Sequence, residues 1–339
     1  MNRLISFLLF ILVLSSCTSV FYQPEKQQFY GPEKMGLSYY DVSFLSKDNQ
    51  TKLHGWVFPA VVEKGERYKG LITHFHGNAQ NISSHFISLA WIVQHGYTLF
   101  IFDYRGYGQS EEGPSGPTPR GLHLDALAAL EYGHNLFKKE DMIYESKSGV
   151  VKKSAPLLGK PTLSKEESIF VVYGQSLGGV VAMRALADYP ELEGVNLVVM
   201  DSTFSSYQSL AFDKLASTWL TFLISPLAYL LISDEMESKS FLPKFDRPLL
   251  VIHGDADHIV PKKFGEEIFN LAMTGMEKTE KTEKHGEKRD LFTLTSQQQL
   301  QKWQWIIPGG AHINAMYGHE NSSYYQKQFL DLLKDISRK

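Results

Sequence analysis

Short apolar runs of four to six residues recur along the chain: Gly70–Phe75, Thr98–Phe102, Ile169–Tyr173, Val195–Met200, Leu249–Ile252 and Trp303–Ile307. They are apolar at successive positions, which suits strands buried on both faces of a parallel sheet. Ahead of them, Tyr40–Leu45 and Leu53–Phe58 flank the polar turn Ser46-Lys47-Asp48-Asn49-Gln50 and predict a hairpin. Helix-like stretches fall between most of the runs, at Ser83–Gln94, Leu122–Phe137, Leu177–Asp188 and Lys262–Ala272. This alternation predicts an α/β fold, a mostly parallel eight-stranded sheet with helices on both faces.

Three excursions interrupt the rhythm. Residues 141–167 are rich in Lys and Ser, and 276–290 hold Glu277-Lys278-Thr279-Glu280-Lys281, whose alternating signs read as a solvated loop. Residues 205–245 differ, because Leu215 to Ile232 is mostly apolar, carries Trp219, Phe222 and Tyr229, and is broken by Pro226. It is too interrupted for a membrane span and reads as a small cap insertion, with core packing the plainer alternative.

Composition narrows the classes. The 339 residues carry a formal charge of -3, with 43% apolar and 21% charged residues, ordinary values for a globular enzyme. No basic excess exists to neutralise phosphates, so a nucleic-acid partner is not expected.

The candidate chemistry begins at Gly174-Gln175-Ser176-Leu177-Gly178. A Gly-x-Ser-x-Gly match arises by chance in about one chain of this length in ten, so context decides. Here it follows the run ending at Tyr173 and opens a helical pattern, the strand–turn–helix setting of a nucleophile elbow. That makes Ser176 the candidate nucleophile and the Leu177 N–H a candidate oxyanion donor at a helix start. His76-Gly77-Asn78 follows an earlier strand, and the Asn78 N–H is the natural second donor. His74 and His76, two apart, lack a third Asp or His nearby for a hydrolytic metal site, so neither a metal nor an organic cofactor is expected.

An acid and a base are expected downstream, in the order Ser, Asp, His. His253-Gly254-Asp255-Ala256-Asp257-His258 begins as a strand ends. Asp257 stands further into that loop and is the preferred acid. Asp255 is better placed to satisfy turn N–H groups, and Asp201, at the end of the preceding strand, is the other alternative. For the base, Pro308-Gly309-Gly310-Ala311-His312 offers His312, with His319 and His258 as rivals. His285 lies in the charged insertion and is set aside.

These residues resemble the BEM46-like branch of the α/β-hydrolase superfamily, which includes serine hydrolases placed near the S33 peptidases. The resemblance spans roughly residues 37–333. It rests on His76-Gly77-Asn78-Ala79, Asp103-Tyr104-Arg105-Gly106-Tyr107-Gly108-Gln109-Ser110, Gly174-Gln175-Ser176-Leu177-Gly178-Gly179, His253-Gly254 with Asp257 and Val260, and Gly310 with His312. It implies the α/β-hydrolase fold, Ser176, Asp257 and His312 as nucleophile, acid and base, and Asn78 and Leu177 as oxyanion hole. The Asp103–Ser110 block reads as structural.

The N-terminus is a separate matter. Arg3 precedes the apolar run Leu4–Leu14, roughly 16 Å long as a helix, which is too short to span a bilayer and fits a signal-peptide core. It leads into Leu14-Ser15-Ser16-Cys17, and Cys17 is the single cysteine. This resembles a bacterial lipoprotein signal, which implies removal of residues 1–16 and acylation of Cys17. Residues 17–36 then form a lipidated tether, with the hydrolase domain at 37–339. An envelope location follows, and Thr18 in place of aspartate favours the outer membrane over the inner. The expected activity is carboxylesterase-, lipase- or thioesterase-like, on an acyl-ester or lipid-like substrate. A peptidase or amidase with the same triad, or a non-catalytic envelope binding protein, are the alternatives.

Overall fold

The computed structural model describes residues 22–62, 68–114, 116–138, 144–145, 168–274 and 301–338. The signal-like segment, Cys17, nearly all of 141–167 and the whole of 276–290 lie outside the described residues.

The eight expected runs form one eight-stranded sheet. Its strands are β1 (Tyr40–Leu45), β2 (Lys52–Phe58), β3 (Gly70–Phe75), β4 (Tyr97–Phe102), β5 (Ile169–Gln175), β6 (Leu197–Asp201), β7 (Leu249–Gly254) and β8 (Lys302–Ile307). Their order is β1-β2-β4-β3-β5-β6-β7-β8. The β1–β2 hairpin and the β2–β4 pair are antiparallel, and the remaining ladders are parallel. A two-residue parallel ladder joins Ala60–Val61 to Tyr144–Glu145.

Both faces of the sheet are covered. Helices α1 (Pro119–Lys138), α2 (Leu177–Ala187), α3 (Tyr207–Ala216), α4 (Lys263–Thr274) and α5 (Ser322–Ser337) are the longer ones. Leu122, Ala126, Val180, Met183, Phe264 and Ile268, from α1, α2 and α4, share one buried cluster with the inward residues of one sheet face. Ile82, Phe86, Leu89 and Ile92 share the other with Phe329 and Leu333 of α5. Within β5, Phe170 and Val172 belong to the first cluster, and Val171 and Tyr173 to the second. Successive side chains therefore enter opposite cores, which is why the strands read as continuously apolar.

Three elements depart from the expected pattern. The single helix expected over Ser83–Gln94 is an α-turn at Ile82–His85 followed by 3-10 turns at Phe86–Ser88 and Ala90–His95. Ser84 and Ser88 hydroxyls and the Trp91 indole donate to the carbonyls of Asn81, His85 and Ser88, competing with helix propagation. Residues 313–339 carry α5, which the apolar runs leave unassigned. The polar stretch 22–36, read as tether, lies docked on the domain. Glu25 and Gln27 carbonyls accept from the Asn81 side chain, Phe29 N–H donates to Ser83 Oγ, and Tyr22 is only 5% exposed. Its backbone polar groups are satisfied by loop side chains rather than by a periodic ladder, so hydrophobic patterning does not reveal it.

The register carries the site. Phe75 pairs with Gly174, Gln175 with Asp201, Asp201 with Ile252, and Gly254 with Ile307. Five parallel strands thus end level, and the loops after them cluster at the carboxyl edge of the sheet, where open α/β folds bind ligands.

Candidate active site

Ser176 occupies the turn between β5 and α2 with φ 52° and ψ −119°, a left-handed backbone that costs a non-glycine residue on the order of 1–3 kcal/mol. The surroundings over-determine it. Its N–H donates to the Asp201 carbonyl at 2.9 Å, and its carbonyl accepts from the Thr203 hydroxyl at 2.6 Å. A Cβ at Gly178 would lie 2.0 Å from the Phe75 carbonyl oxygen, so this glycine is what lets α2 seat against β3. Ser176 is 8% exposed, and Leu177 is the first residue of α2, whose N–H has no acceptor inside the helix.

Asp257 and His312 are brought together. His312 Nδ1 donates to Asp257 Oδ2 at 2.7 Å, and Asp257 Oδ1 accepts the N–H groups of Ile259 and Val260, each at 2.8 Å. Burial works to raise the Asp257 carboxyl. The His312 hydrogen bond and charge, with those two backbone donors, outweigh it and hold the group below its ordinary value. Gly254 makes the approach of the two loops possible, since a Cβ there would meet the Gly310 carbonyl at 2.1 Å. Asp255 instead accepts from Gly309 N–H at 2.7 Å, the turn role expected of it.

The remaining alternatives have other partners. Asp201 is fully buried beneath the site and accepts from Tyr173, Gln175 and Ser202. Burial raises its carboxyl against those hydrogen bonds. His319 donates to the Pro308 carbonyl, and exposed His258 offers its carbonyl to Lys214. His285 lies outside the described residues.

The serine and the histidine share a scaffold rather than a direct bond. Ser202 Oγ donates to Asp201 Oδ1 and accepts the Ile313 N–H at 3.1 Å, so Asp201-Ser202 anchors both the elbow and the residue after His312. Among the described residues no hydrogen bond joins Ser176 to His312. Bonds of this kind commonly tighten only when substrate binds.

Asn78, in the loop after β3, lines the same cavity as Ser176. Its Oδ1 accepts from the Tyr107 hydroxyl at 2.7 Å and from Gln23 N–H at 3.0 Å, while Tyr104 donates to the His76 carbonyl at 3.1 Å. The Asp103–Ser110 block is thus a brace for the loop after β3. His74 and His76 are buried beside it and His85 is half-buried, and desolvation pushes all three imidazoles down, His74 to about 3 and His85 to about 4. His74 donates to Gln175 Oε1 and His76 to the Gly77 carbonyl, so neutral rings fill this region. Non-glycine residues with positive φ gather here too: Ala79, Gln80, Ser176, Ser202 and Ile313. A β-branched residue at φ 51° immediately after His312 is a genuine outlier, and such strain clusters at functional sites.

Above Ser176 opens a cavity of about 520 Å³. Asn78, Ser176 and Leu177 line it together with Leu210, Leu215 and Ile232 of the 205–245 excursion and with Ile259 and Val260 of the Asp257 loop. Lys214 is the one charged residue among those lining it, and His312 stands outside the lining. The sequence reading of the Asp103–Ser110 block as structural rests on its glycines and does not extend to the hydrogen bonds of Tyr104 and Tyr107, and Ser202, Thr203 and Gln23 are further supports it does not identify. Only the strand-end position of Asp201-Ser202-Thr203 offered a signal.

Comparison with known proteins agrees with this architecture. Residues 66–241, a little over half of the chain, match the family model described as serine aminopeptidase, S33. The YfhR protein of Salmonella typhi is 29% identical over 94% of this chain and 90% of its own length. The bem46 protein of Schizosaccharomyces pombe is 25% identical over 72% of this chain and 69% of its own. Among solved structures, the Pyrococcus furiosus esterase Pf2001 superposes with a TM-score of 0.58 at 15% identity, covering 94% of this chain and 96% of that one, a likeness of fold. Strand order, elbow and family match converge on one statement: this chain belongs to the serine aminopeptidase S33 family of hydrolases, within the BEM46-like branch of the α/β-hydrolases.

Proposed function

We propose that the chain is a serine hydrolase of the bacterial cell envelope that cleaves ester bonds through Ser176, His312 and Asp257. In this reading neutral His312 takes the Ser176 proton as the hydroxyl attacks the substrate carbonyl. Asp257 fixes the tautomer through Nδ1 and stabilises the imidazolium. The N–H groups of Leu177 and Asn78 receive the developing oxyanion. His312 then protonates the leaving oxygen, and later activates the water that hydrolyses the acyl-enzyme.

One observation favours an ester over a peptide. An aminopeptidase has to hold a substrate ammonium, and no Asp or Glu lines the cavity among the described residues. Its walls are largely apolar, as an acyl chain requires. The test is a series of p-nitrophenyl esters from acetyl upward beside aminoacyl-naphthylamides. Ester turnover at least tenfold above amide turnover supports the reading; absence of ester turnover at every length removes it. The envelope placement rests on the Leu14–Cys17 resemblance, and Cys17→Ala is expected to release the protein from membrane fractions. Unchanged fractionation contradicts it.

A further inference from the structure

The cap-like excursion has an outer face as well as the inner one that lines the cavity. Residues 215–232 contain no Asp, Glu, Lys, Arg or His. Trp219 is 88% exposed, Leu223 87%, Leu230 78% and Leu220 72%, all within twelve residues. Soluble surfaces rarely carry so dense an apolar patch without a partner. An aromatic ring among aliphatic side chains, free of formal charge, is the composition that suits the headgroup–acyl boundary of a bilayer.

The course of the N-terminus says which partner. Tyr22 packs edge-on against Tyr207 of α3, ring centroids 6.4 Å apart, and Gln23 lines the cavity beside Asn78. The chain therefore enters the described domain at the cavity, on the helix that leads into the apolar excursion. Cys17 lies five residues before Tyr22, and five residues reach at most about 17 Å. An acyl group on Cys17 is thus confined to the neighbourhood of the cavity and cannot hold the molecule by its far side.

We propose that the outer face of residues 217–232 seats in the lipid headgroup layer, so that the cavity above Ser176 opens onto the bilayer and receives acyl substrates from it. The proposal rests on the lipoprotein and ester-hydrolase readings above, and deepens both. Acyl chains then pass from one apolar phase to another, along Leu215 and Ile232, without crossing water.

Trp219 supplies the probe. The full chain is reconstituted in vesicles of phosphatidylethanolamine and phosphatidylglycerol containing a dibrominated phosphatidylcholine, and tryptophan emission is compared with unbrominated vesicles. Quenching in the wild type that Trp219→Phe abolishes is the expected result. No quenching, or equal quenching in Trp219→Phe, overturns the proposal. In parallel, a variant combining Trp219→Ser, Leu223→Ser and Leu230→Ser is expected to hydrolyse a long-chain ester held in vesicles about tenfold more slowly, with dissolved p-nitrophenyl acetate turnover within twofold. Equal rates on the vesicle substrate overturn the docking. A wild type inactive on p-nitrophenyl esters of every chain length instead overturns the ester reading, and the quenching arm still decides the docking. A dimer in sedimentation velocity that the triple variant dissociates assigns the face to a second copy and also overturns it.

Discussion

The Tyr107 hydroxyl donates to Asn78 Oδ1 at 2.7 Å, tying the loop after β4 to the loop after β3. Asn78 is the proposed second oxyanion donor, so its backbone position depends on a side chain 29 residues away. One such bond contributes on the order of 1 kcal/mol. Tyr107→Phe is therefore expected to lower kcat on a short ester about 3- to 10-fold with KM changed less than twofold. Steady-state kinetics checks this, and an unchanged kcat would detach the brace from catalysis.

Asp257→Asn keeps the shape of the carboxylate but offers His312 the wrong partner for a neutral imidazole with its proton on Nδ1. A loss of about 10³- to 10⁴-fold in kcat is expected, as in other triads. Asp255→Asn, which touches only a turn N–H, is expected to stay within about threefold. Kinetics on the two purified variants separates the neighbouring carboxylates, and equal losses would argue against the assignment.

Backbone strain gives a prediction of opposite sign for stability and activity. Ser176 holds φ 52°, which glycine adopts without a Cβ penalty. Ser176→Gly is expected to be inactive yet to melt above Ser176→Ala, by about 1 kcal/mol or a few degrees. Calorimetry on the two variants reads this directly; equal melting temperatures would mean the elbow is unstrained.

His54 sits between Asp41 and Asp103, and links stability to pH. Burial works to lower its imidazole, but hydrogen bonds to Asp103 and Asp41, with their charges, outweigh burial and raise it to about 9. The protonated form is the one the fold favours. Its contribution is complete below about pH 6.5 and is lost as pH rises through about 9. The wild type is expected to lose several degrees of melting temperature between pH 7 and pH 10 beyond any loss in His54→Gln. Parallel melting profiles would contradict the linkage.

Much of this architecture was legible in the chain itself. Strands buried on both faces announce themselves as continuous apolar runs, and Tyr40–Leu45, Gly70–Phe75 and Trp303–Ile307 match observed strands within a residue. Asp257 was separable from Asp255 by its depth in the loop, since a carboxylate nearer the strand end meets turn N–H groups first. The supports were not legible, for a physical reason. Tyr107, Ser202 and Thr203 act through hydrogen bonds to Asn78, Ile313 and Ser176, residues that become their neighbours only after the strands have paired, and no local periodicity records such contacts. The docking of residues 22–36 escaped for the same cause, because its polar backbone is satisfied by loop side chains.

Active-site labelling tests the central claim most directly. Folded wild type is treated with a fluorophosphonate probe and the modified residue is located by peptide mass spectrometry, beside Ser176→Ala and His312→Ala. The account predicts a single adduct on Ser176, none in Ser176→Ala, and labelling slowed by about 10³-fold or more in His312→Ala. A folded wild type that stays unlabelled, or a label that persists in Ser176→Ala, contradicts it.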